Sequence, residues 1–202
     1  MGGNEITAMA STHPDRVASI LYLDGAYDWS DFGAAFKAFP PVYLNPPARA
    51  MASLDTWRAY QRTYWFPEIN DLSRVEAYNR ELVVLSPEGK VRSVMSDSAS
   101  EGLIATLLSY HRDYAKIHSP ALAIYAETML DIRKGDSAQV AMNLGWERKY
   151  MAPFRAASIE RVRHELPNVE IVNVLGTHMD FVFTSREKVV DAIRKFLSRQ
   201  MP

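Results

Sequence analysis

Three short apolar runs, each about as long as one β-strand, constrain the fold more than any other feature of this sequence. They are Val17–Asp24 (VASILYLD), Pro120–Ala126 (PALAIYA) and Val169–Leu175 (VEIVNVL). The first two stay apolar at consecutive positions, which is typical of parallel strands that are covered on both faces. Helical patterns separate the runs, and strands that alternate with helices pair in parallel. The sequence therefore predicts an α/β fold with about three parallel strands and flanking helices.

Helical spacing of apolar residues gives the remaining elements. The last helix has the clearest start, because Thr184 and Glu187 have the spacing of a capping box. Pro153 is expected to bend the long helix before it. The predicted helices cover Gly2–Thr12, Asp55–Tyr64, Ser98–Tyr114, Gln139–Leu166 and Thr184–Leu197.

The middle of the chain differs in character from both ends. Residues 29–117 are rich in aromatic residues and proline, and only Glu81–Leu85 has a strand pattern there. We interpret this stretch as a helical cap inserted into the core. The predicted division is 1–28 for the first helix and strand of the core, 29–117 for the cap, and 118–202 for the rest of the core.

The composition excludes several classes of function. With 202 residues, a net charge of −1 and no basic stripe, the chain is predicted to bind no nucleic acid. It has no cysteine, no HExxH motif and no histidine pair at metal-ligand spacing, so no metal site or cofactor is expected. No run approaches the ~20 apolar residues that span a membrane, and no signal peptide is visible. We expect a cytoplasmic protein, unless a signal has been lost ahead of Met1.

Two landmarks suggest a family. The chain opens with Met1-Gly2-Gly3-Asn4-Glu5 directly before an apolar helix, and Gly176-Thr177-His178 follows the third strand, ahead of the last helix. This arrangement resembles an α/β-hydrolase that begins just after the Gly-x-nucleophile-x-Gly-Gly turn. The resemblance implies a partial α/β-hydrolase fold, its carboxyl-terminal portion. The nucleophile would stand one position before Met1, the Met1 amide would serve the oxyanion hole, and Gly2 and Gly3 would be the elbow glycines.

His178 is the candidate general base. It lies in a short loop after a predicted parallel strand, and ligands of open α/β sheets bind at the carboxyl ends of such strands. The segment GTHMDFVFTSREKVVDAIRKFL is similar to the end of α/β-hydrolases, where the catalytic histidine precedes the final helix. The alternative is a loop histidine with a structural hydrogen bond. The other histidines have no comparable position: His13, His111, His118 and His164.

The acid of the implied triad has several candidates. In many members of the family it follows the second of these strands, and there Glu127 and Asp131 are near the expected position. In other members it follows the preceding strand in a Leu-Asp-Pro-Ala-like turn, which Leu23-Asp24-Gly25-Ala26 resembles. Asp24 is our first choice, with Asp131, Asp28 and Glu127 as alternatives. A carboxylate at Asp24 that only caps backbone amides is the structural alternative.

The residue before Met1 would decide the chemistry. A serine implies esterase-like hydrolysis of a small apolar ester, which we prefer, and an aspartate implies an epoxide hydrolase or dehalogenase. The third hypothesis is a non-catalytic fragment that binds a small apolar ligand or a partner chain. The cap aromatics either line a substrate pocket or form the cap's own core: Trp57, Tyr60, Tyr64, Trp65 and Phe66. Without the strand that precedes Met1, the first strand is expected to expose an edge that favours self-association.

Overall fold

Three parallel strands form the sheet that organises the chain. A computed structural model describes residues 2–44, 46–67, 69 and 73–200. Its strands are β1 (Ile20–Leu23), β2 (Val83–Leu85), β3 (Val91–Ser93), β4 (Ala121–Thr128) and β5 (Val169–Thr177). β4 lies in the centre and pairs in parallel with β1 on one side and β5 on the other. The predicted α/β architecture with about three parallel strands is confirmed.

The strands begin or end at other residues than predicted. β1 begins at Ile20 rather than Val17, whereas β4 and β5 run on to Thr128 and Thr177. The extensions pair with each other, and a register shift lies between Ala126 and Thr128. β2 forms an antiparallel hairpin with β3. The sequence predicted only the first strand of this hairpin, as Glu81–Leu85, and the first two of those residues belong to the preceding helix.

Helices cover the sheet and fill the segment between β1 and β4. They are α1 (Gly2–Thr12), α2 (Gly33–Lys37), α3 (Pro41–Leu44), α4 (Leu54–Tyr64), α5 (Ser73–Leu82), α6 (Asp97–Ser109), α7 (Ser137–Trp146), α8 (Ala152–Glu165), α9 (Phe181–Thr184) and α10 (Arg186–Ser198). A π-helical turn, Glu147–Met151, joins α7 to α8 just before Pro153. The predicted capping box at Thr184 is wrong, because Thr184 ends α9 and Ser185 precedes α10 without a side-chain cap.

The central strand β4 separates two apolar layers. Its alternate residues Ala121, Ala123 and Tyr125 pack toward α1 and α8, where Ala10 and Val162 are buried. The residues between them pack toward α10: Leu122, Ile124 and Ala126. Burial of each large apolar side chain contributes about 1.5–3 kcal/mol. The two layers fix the sheet, and with it the loops at the carboxyl ends of its strands.

Between β1 and β4 the chain forms α2 to α6 and the hairpin. The division into 1–28, 29–117 and 118–202, with a cap in the middle, stays a prediction. In the part of the chain that the structure describes, β1 has no strand partner on its outer edge, and self-association there also stays a prediction. Among the same residues, no helix has both the length and the apolar character needed to cross a membrane.

Candidate active site

Two loops at one edge of the sheet bring His178 and Asp24 together. Asp24 follows the last residue of β1, and His178 follows the last residue of β5. Parallel strands end at the same edge of the sheet, so both side chains lie there. Nδ1 of His178 is 2.7 Å from Oδ2 of Asp24. The expected proximity of the two side chains is therefore found, while their catalytic roles stay a proposal.

Asp24 is held rigidly in an unusual backbone conformation. Its φ is +48°, the left-handed region, which costs a non-glycine residue on the order of 1–3 kcal/mol. The side chain is 2% exposed. Oδ1 accepts hydrogen bonds from the Tyr27 hydroxyl at 2.7 Å and from the Ala126 amide at 3.0 Å. These two donors fix one carboxylate oxygen and leave Oδ2 for His178.

A buried network supports Asp24 from behind. Burial, and next the charge of Asp24, raise the pKa of Tyr27 above its ordinary value, so that its hydroxyl remains a donor. Arg155 lies beside Tyr27 and donates from Nη2 to Oε1 of Glu147 at 2.6 Å. Oε2 of Glu147 accepts a hydrogen bond at 3.1 Å from the amide of Met129, which lies in the loop after β4. The π-helical turn that carries Glu147 thus ties this loop to the support of Asp24.

The loop of His178 is fixed by its backbone. The His178 amide donates to the Thr128 carbonyl at 2.9 Å, so the loop is anchored to the end of β4. Gly176 has a φ of +108°, where a Cβ would stand 2.8 Å from Oδ1 of Asp180. That oxygen accepts the Thr177 amide at 2.6 Å. The imidazole itself remains 39% exposed, which leaves part of the ring accessible to a ligand.

His178 lies between two cavities. The larger has a volume of about 480 Å³, and its wall is mostly apolar, with Gly3, Trp29, Phe32, Phe36, Trp146 and Arg112 among its residues. The smaller, of about 160 Å³, is lined by Tyr43, Tyr64, Trp65, Asp131 and Met179 among others. His178, Met129 and Phe39 line both cavities. A bound molecule that spans the two would pass the imidazole.

Two of the alternative acids have other partners. Glu127 faces solvent and pairs with Arg133 at 3.0 Å. Asp131 is buried, and its Oδ1 accepts the amides of Arg133 and Lys134 in a tight turn. Its Oδ2 has no hydrogen-bond partner among the described atoms. Asp24 is the acid that accepts the hydrogen bond of the His178 ring, and neither alternative forms one with it within the described residues.

Asp28, the third alternative, belongs to a separate cluster. It accepts the Ser30 hydroxyl and Nη1 of Arg161, both at 2.6 Å. Burial raises the pKa of Asp28, but hydrogen bonds from Ser30, Arg161 and the Arg112 amide outweigh this effect and lower the pKa to about 2. Nδ1 of His111 is near Ser30 and Asp28 alike. Since both approach the same ring nitrogen, this serine, histidine and aspartate cannot relay a proton through the ring as a triad does.

The predicted elbow residues divide into three cases. Met1 lies outside the described residues. A Cβ on Gly3 would stand 2.1 Å from the Gly25 carbonyl oxygen, so a side chain is excluded there. A Cβ on Gly2 would meet no described atom within 4 Å, and the expected steric need for glycine is not found at that position. No cluster of three or more potential metal ligands occurs in the described ranges.

The cap aromatics divide between the two predicted roles. Trp57 and Tyr60 are buried and stack on each other, and Phe66 is buried against Phe183. Trp57 and Tyr60 form a core within their own segment, whereas Phe66 packs against α9 of the following segment. Tyr64 and Trp65 instead line the smaller cavity beside His178.

Several residues of the site were missed by sequence reasoning. Tyr27, Glu147 and Arg155 support Asp24, and Arg112 lines the larger cavity. Tyr27 stands three positions after Asp24, a spacing that allows the contact, but the pattern is too common to single it out. Arg112 follows α6 without any motif, so the sequence contains nothing that identifies it.

No family model matches the chain, and no curated protein matches it. Among solved structures it resembles E-2-(acetamidomethylene)succinate hydrolase, with a TM-score of 0.65 and 19% identity over 98% of this chain and 63% of the other. It also resembles a marine microorganism esterase, with a TM-score of 0.52 and 15% identity over 96% of this chain and 66% of the other.

The chain spans less than two thirds of the length of either solved structure. At these identities the likeness concerns the fold, and both matches extend over almost the whole of this chain. Together with the parallel sheet and the loops at its edge, they identify the fold. The chain has the α/β-hydrolase fold, of which it contains a part.

Proposed function

We propose that His178 is the general base and Asp24 the orienting acid of a hydrolase site that cleaves a small apolar ester. The observation that carries the proposal is the 2.7 Å contact between Nδ1 of His178 and Oδ2 of Asp24 at the mouth of an apolar cavity. The carboxylate holds the Nδ1–H tautomer and stabilises the imidazolium that forms. The other ring nitrogen, Nε2, is then free to take a proton.

The nucleophile belongs, in this proposal, to the part of the complete fold that precedes Gly2. There a serine at the turn before α1 attacks the acyl carbon, and Nε2 of His178 removes its proton. The imidazolium then gives this proton to the leaving alcohol, and the acyl group remains on the serine. Water, deprotonated by Nε2 in the same way, attacks the acyl group and releases the acid and the free serine. The amino end of α1 faces the larger cavity at Gly2 and Gly3, where its amides favour a developing oxyanion.

The two cavities suit the two halves of an ester. Because His178 lines both, an ester bond beside the imidazole would have its acyl part in one and its alcohol part in the other. Aromatic walls favour apolar groups on both sides. The solved neighbours named as a hydrolase and an esterase support hydrolysis as the reaction class.

The test uses the intact protein as its source cell makes it. We expect hydrolysis of p-nitrophenyl butyrate, and a loss of about a thousandfold or more in kcat on His178→Ala. Asp24→Ala should cause a large loss as well. The exposed His111 provides the matched control, because His111→Ala removes an imidazole that is outside both cavities. Full activity of the His178→Ala protein would exclude the proposed base.

A second candidate is favoured by two tyrosines. Tyr43 and Tyr64 both line the smaller cavity, and burial is the main factor that raises the pKa of Tyr43. Phenols so placed could donate to the oxygen of an epoxide, for which the nucleophile would be an aspartate. Labelling of the intact protein by a fluorophosphonate indicates a serine nucleophile, whereas hydrolysis of styrene oxide without labelling indicates the second candidate.

A further inference from the structure

Arg112 is a buried cation in the wall of the larger cavity. It is 2% exposed and stands just after α6. Nε donates to Oδ1 of Asn4 at 2.8 Å, and Nη1 donates to the Gly25 carbonyl and to the Tyr114 hydroxyl. These three hydrogen bonds fix the guanidinium plane between α1 and the loop after β1.

The second terminal nitrogen, Nη2, is left without a partner. In the described part of the chain, neither of its protons has an acceptor, and no carboxylate is within ion-pair distance of the guanidinium. Nη2 lies 2.6 Å from the point that a Cβ on Gly3 would occupy. Because Gly3, Gly25 and Arg112 all line the larger cavity, the unpartnered end of the guanidinium lies at its wall.

A buried guanidinium with no counter-charge is costly. Removal of a charge from water is compensated only when an opposite charge or several hydrogen bonds replace the water. Among the described residues that line the cavity, Asp24 is the acidic one, and its two oxygens already accept hydrogen bonds from Tyr27, Ala126 and His178. The structural contacts of Arg112 use Nε and Nη1, so the two protons of Nη2 remain for a ligand.

We propose that Arg112 binds a carboxylate group of the substrate, which makes the substrate an ester with a free carboxylate and an apolar body. This inference rests on the hydrolase function proposed above and specifies its substrate class. A carboxylate fits better than a phosphate, because the rest of the wall is mostly apolar and offers few donors for further anionic oxygens. Hydrogen bonds between ionised groups are about twice as strong as neutral ones.

Binding to the 202-residue chain tests the proposal with matched probes. Monobenzyl glutarate has one ester and one carboxylate, and benzyl methyl glutarate is its neutral diester. By calorimetry, we expect the monoester to bind at least about tenfold more tightly than the diester. Equal affinities, or no binding of either probe, would overturn the carboxylate assignment.

A second pair of probes separates a substrate carboxylate from the acid that ester hydrolysis releases. Phenylbutyrate represents the released acid, and phenylbutyramide is its neutral counterpart. A preference for phenylbutyrate over its amide without any preference for the monoester would place the product acid at Arg112, and would overturn the assignment to the substrate. A preference for the monoester supports it.

Variants assign the preference to one side chain. Arg112→Gln should abolish the preference for the monoester, whereas Arg112→Lys should keep part of it, since the charge remains but the planar group is lost. Arg199→Gln removes the same charge at an exposed site that pairs with Glu170 and should leave both affinities unchanged. A folded Arg112→Gln protein that retains the preference would overturn the proposal.

His178 is the other side chain in the cavity wall that could attract the anion. Loss of the preference in His178→Ala, with the preference intact in Arg112→Gln, would assign the anion to the imidazole and overturn the proposal. If Arg112→Gln does not fold, the comparison of monoester with diester on the wild-type chain still decides. These binding results are independent of the His178→Ala kinetics that test the hydrolase function, so failure of one is distinguishable from failure of the other.

Discussion

Nδ1 of His178 lies 2.7 Å from Oδ2 of Asp24, although 154 positions separate the two residues. The contact depends on sheet register, because Leu23 pairs with Ile124 and Thr128 pairs with Thr177. Each functional residue follows directly after one of these paired positions. The central strand β4 therefore sets the distance between the proposed base and the proposed acid.

The Tyr27 hydroxyl stabilises the Asp24 carboxylate. We expect Tyr27→Phe to lower the free energy of unfolding by about 1.5–3 kcal/mol, because it removes a hydrogen bond to a buried charge. Tyr125→Phe is the matched control, since Tyr125 is equally buried but donates to the neutral carbonyl of Ala26; its cost should be about 0.5–1.5 kcal/mol. Urea unfolding of both variants measures the difference, and equal costs would contradict the account of Asp24.

Gly3 is required by its surroundings, and Gly2 is not. Gly3→Ala would place a Cβ against the Gly25 carbonyl and Nη2 of Arg112, so we expect a loss of about 1–3 kcal/mol and a lower Tm. Gly2→Ala meets open space and should leave stability unchanged or slightly raised. Thermal unfolding of the two variants makes the comparison. Equal stability of both would show that the close approach of α1 to the loop after β1 is absent in solution.

Asp28 should make stability depend on pH in the acid range. Its pKa is lowered from the ordinary 3.8 to about 2, so the folded state favours the ionised carboxyl. This stabilisation is fully present above the unfolded pKa and is lost as the pH falls through the folded value. The difference in unfolding free energy between wild type and Asp28→Asn should therefore shrink between about pH 4 and pH 2.

Ser30→Ala gives the control for that pH series. It removes one donor to Asp28 and leaves Arg161 in place, so the wild type should differ from it by a smaller pH-dependent amount. A difference between wild type and Asp28→Asn that stays constant over this range would contradict the lowered pKa.

The 202-residue chain by itself should show no triad-type ester hydrolysis. Among the described residues, no serine or threonine lines the larger cavity, and the hydrogen bond recorded for the His178 ring is to Asp24. Without a nucleophile a base and an acid form no covalent intermediate. Turnover of p-nitrophenyl butyrate by this chain that disappears in His178→Ala would contradict the proposed arrangement.

The sequence predicted the parts of the fold that depend on local pattern. The three parallel strands follow from short apolar runs and α1 from helical spacing, and the short loops after β1 and β5 led to Asp24 and His178. The choice among four acids needed the register of β4 as well, since that register is a long-range property. Asp131 follows the neighbouring strand and Glu127 lies near its end, and their distance from His178 could not be derived from spacing.

Long-range polar contacts could not be predicted from the sequence. Arg112 donates a hydrogen bond to Asn4, which is 108 positions away in the sequence. Glu147 accepts one from the Met129 amide, and it is placed there by a π-helical turn that no periodicity predicted. The capping box at Thr184 was wrong for a related reason. Thr184 has the correct spacing to Glu187, but it is the last residue of α9. Its amide donates a hydrogen bond to the carbonyl of Asp180, which precedes that helix.

The tautomer of His178 depends on its pairing with Asp24. In the neutral ring we expect the proton on Nδ1, because the Asp24 carboxylate accepts a hydrogen bond there and leaves Nε2 as the base. Nitrogen–proton NMR correlation of labelled histidine in the wild-type chain should show this tautomer. It should disappear in Asp24→Ala and persist in Asp131→Ala, which removes the alternative acid. A proton on Nε2 in the wild type, or a spectrum unchanged by Asp24→Ala, would contradict the pairing of His178 with Asp24.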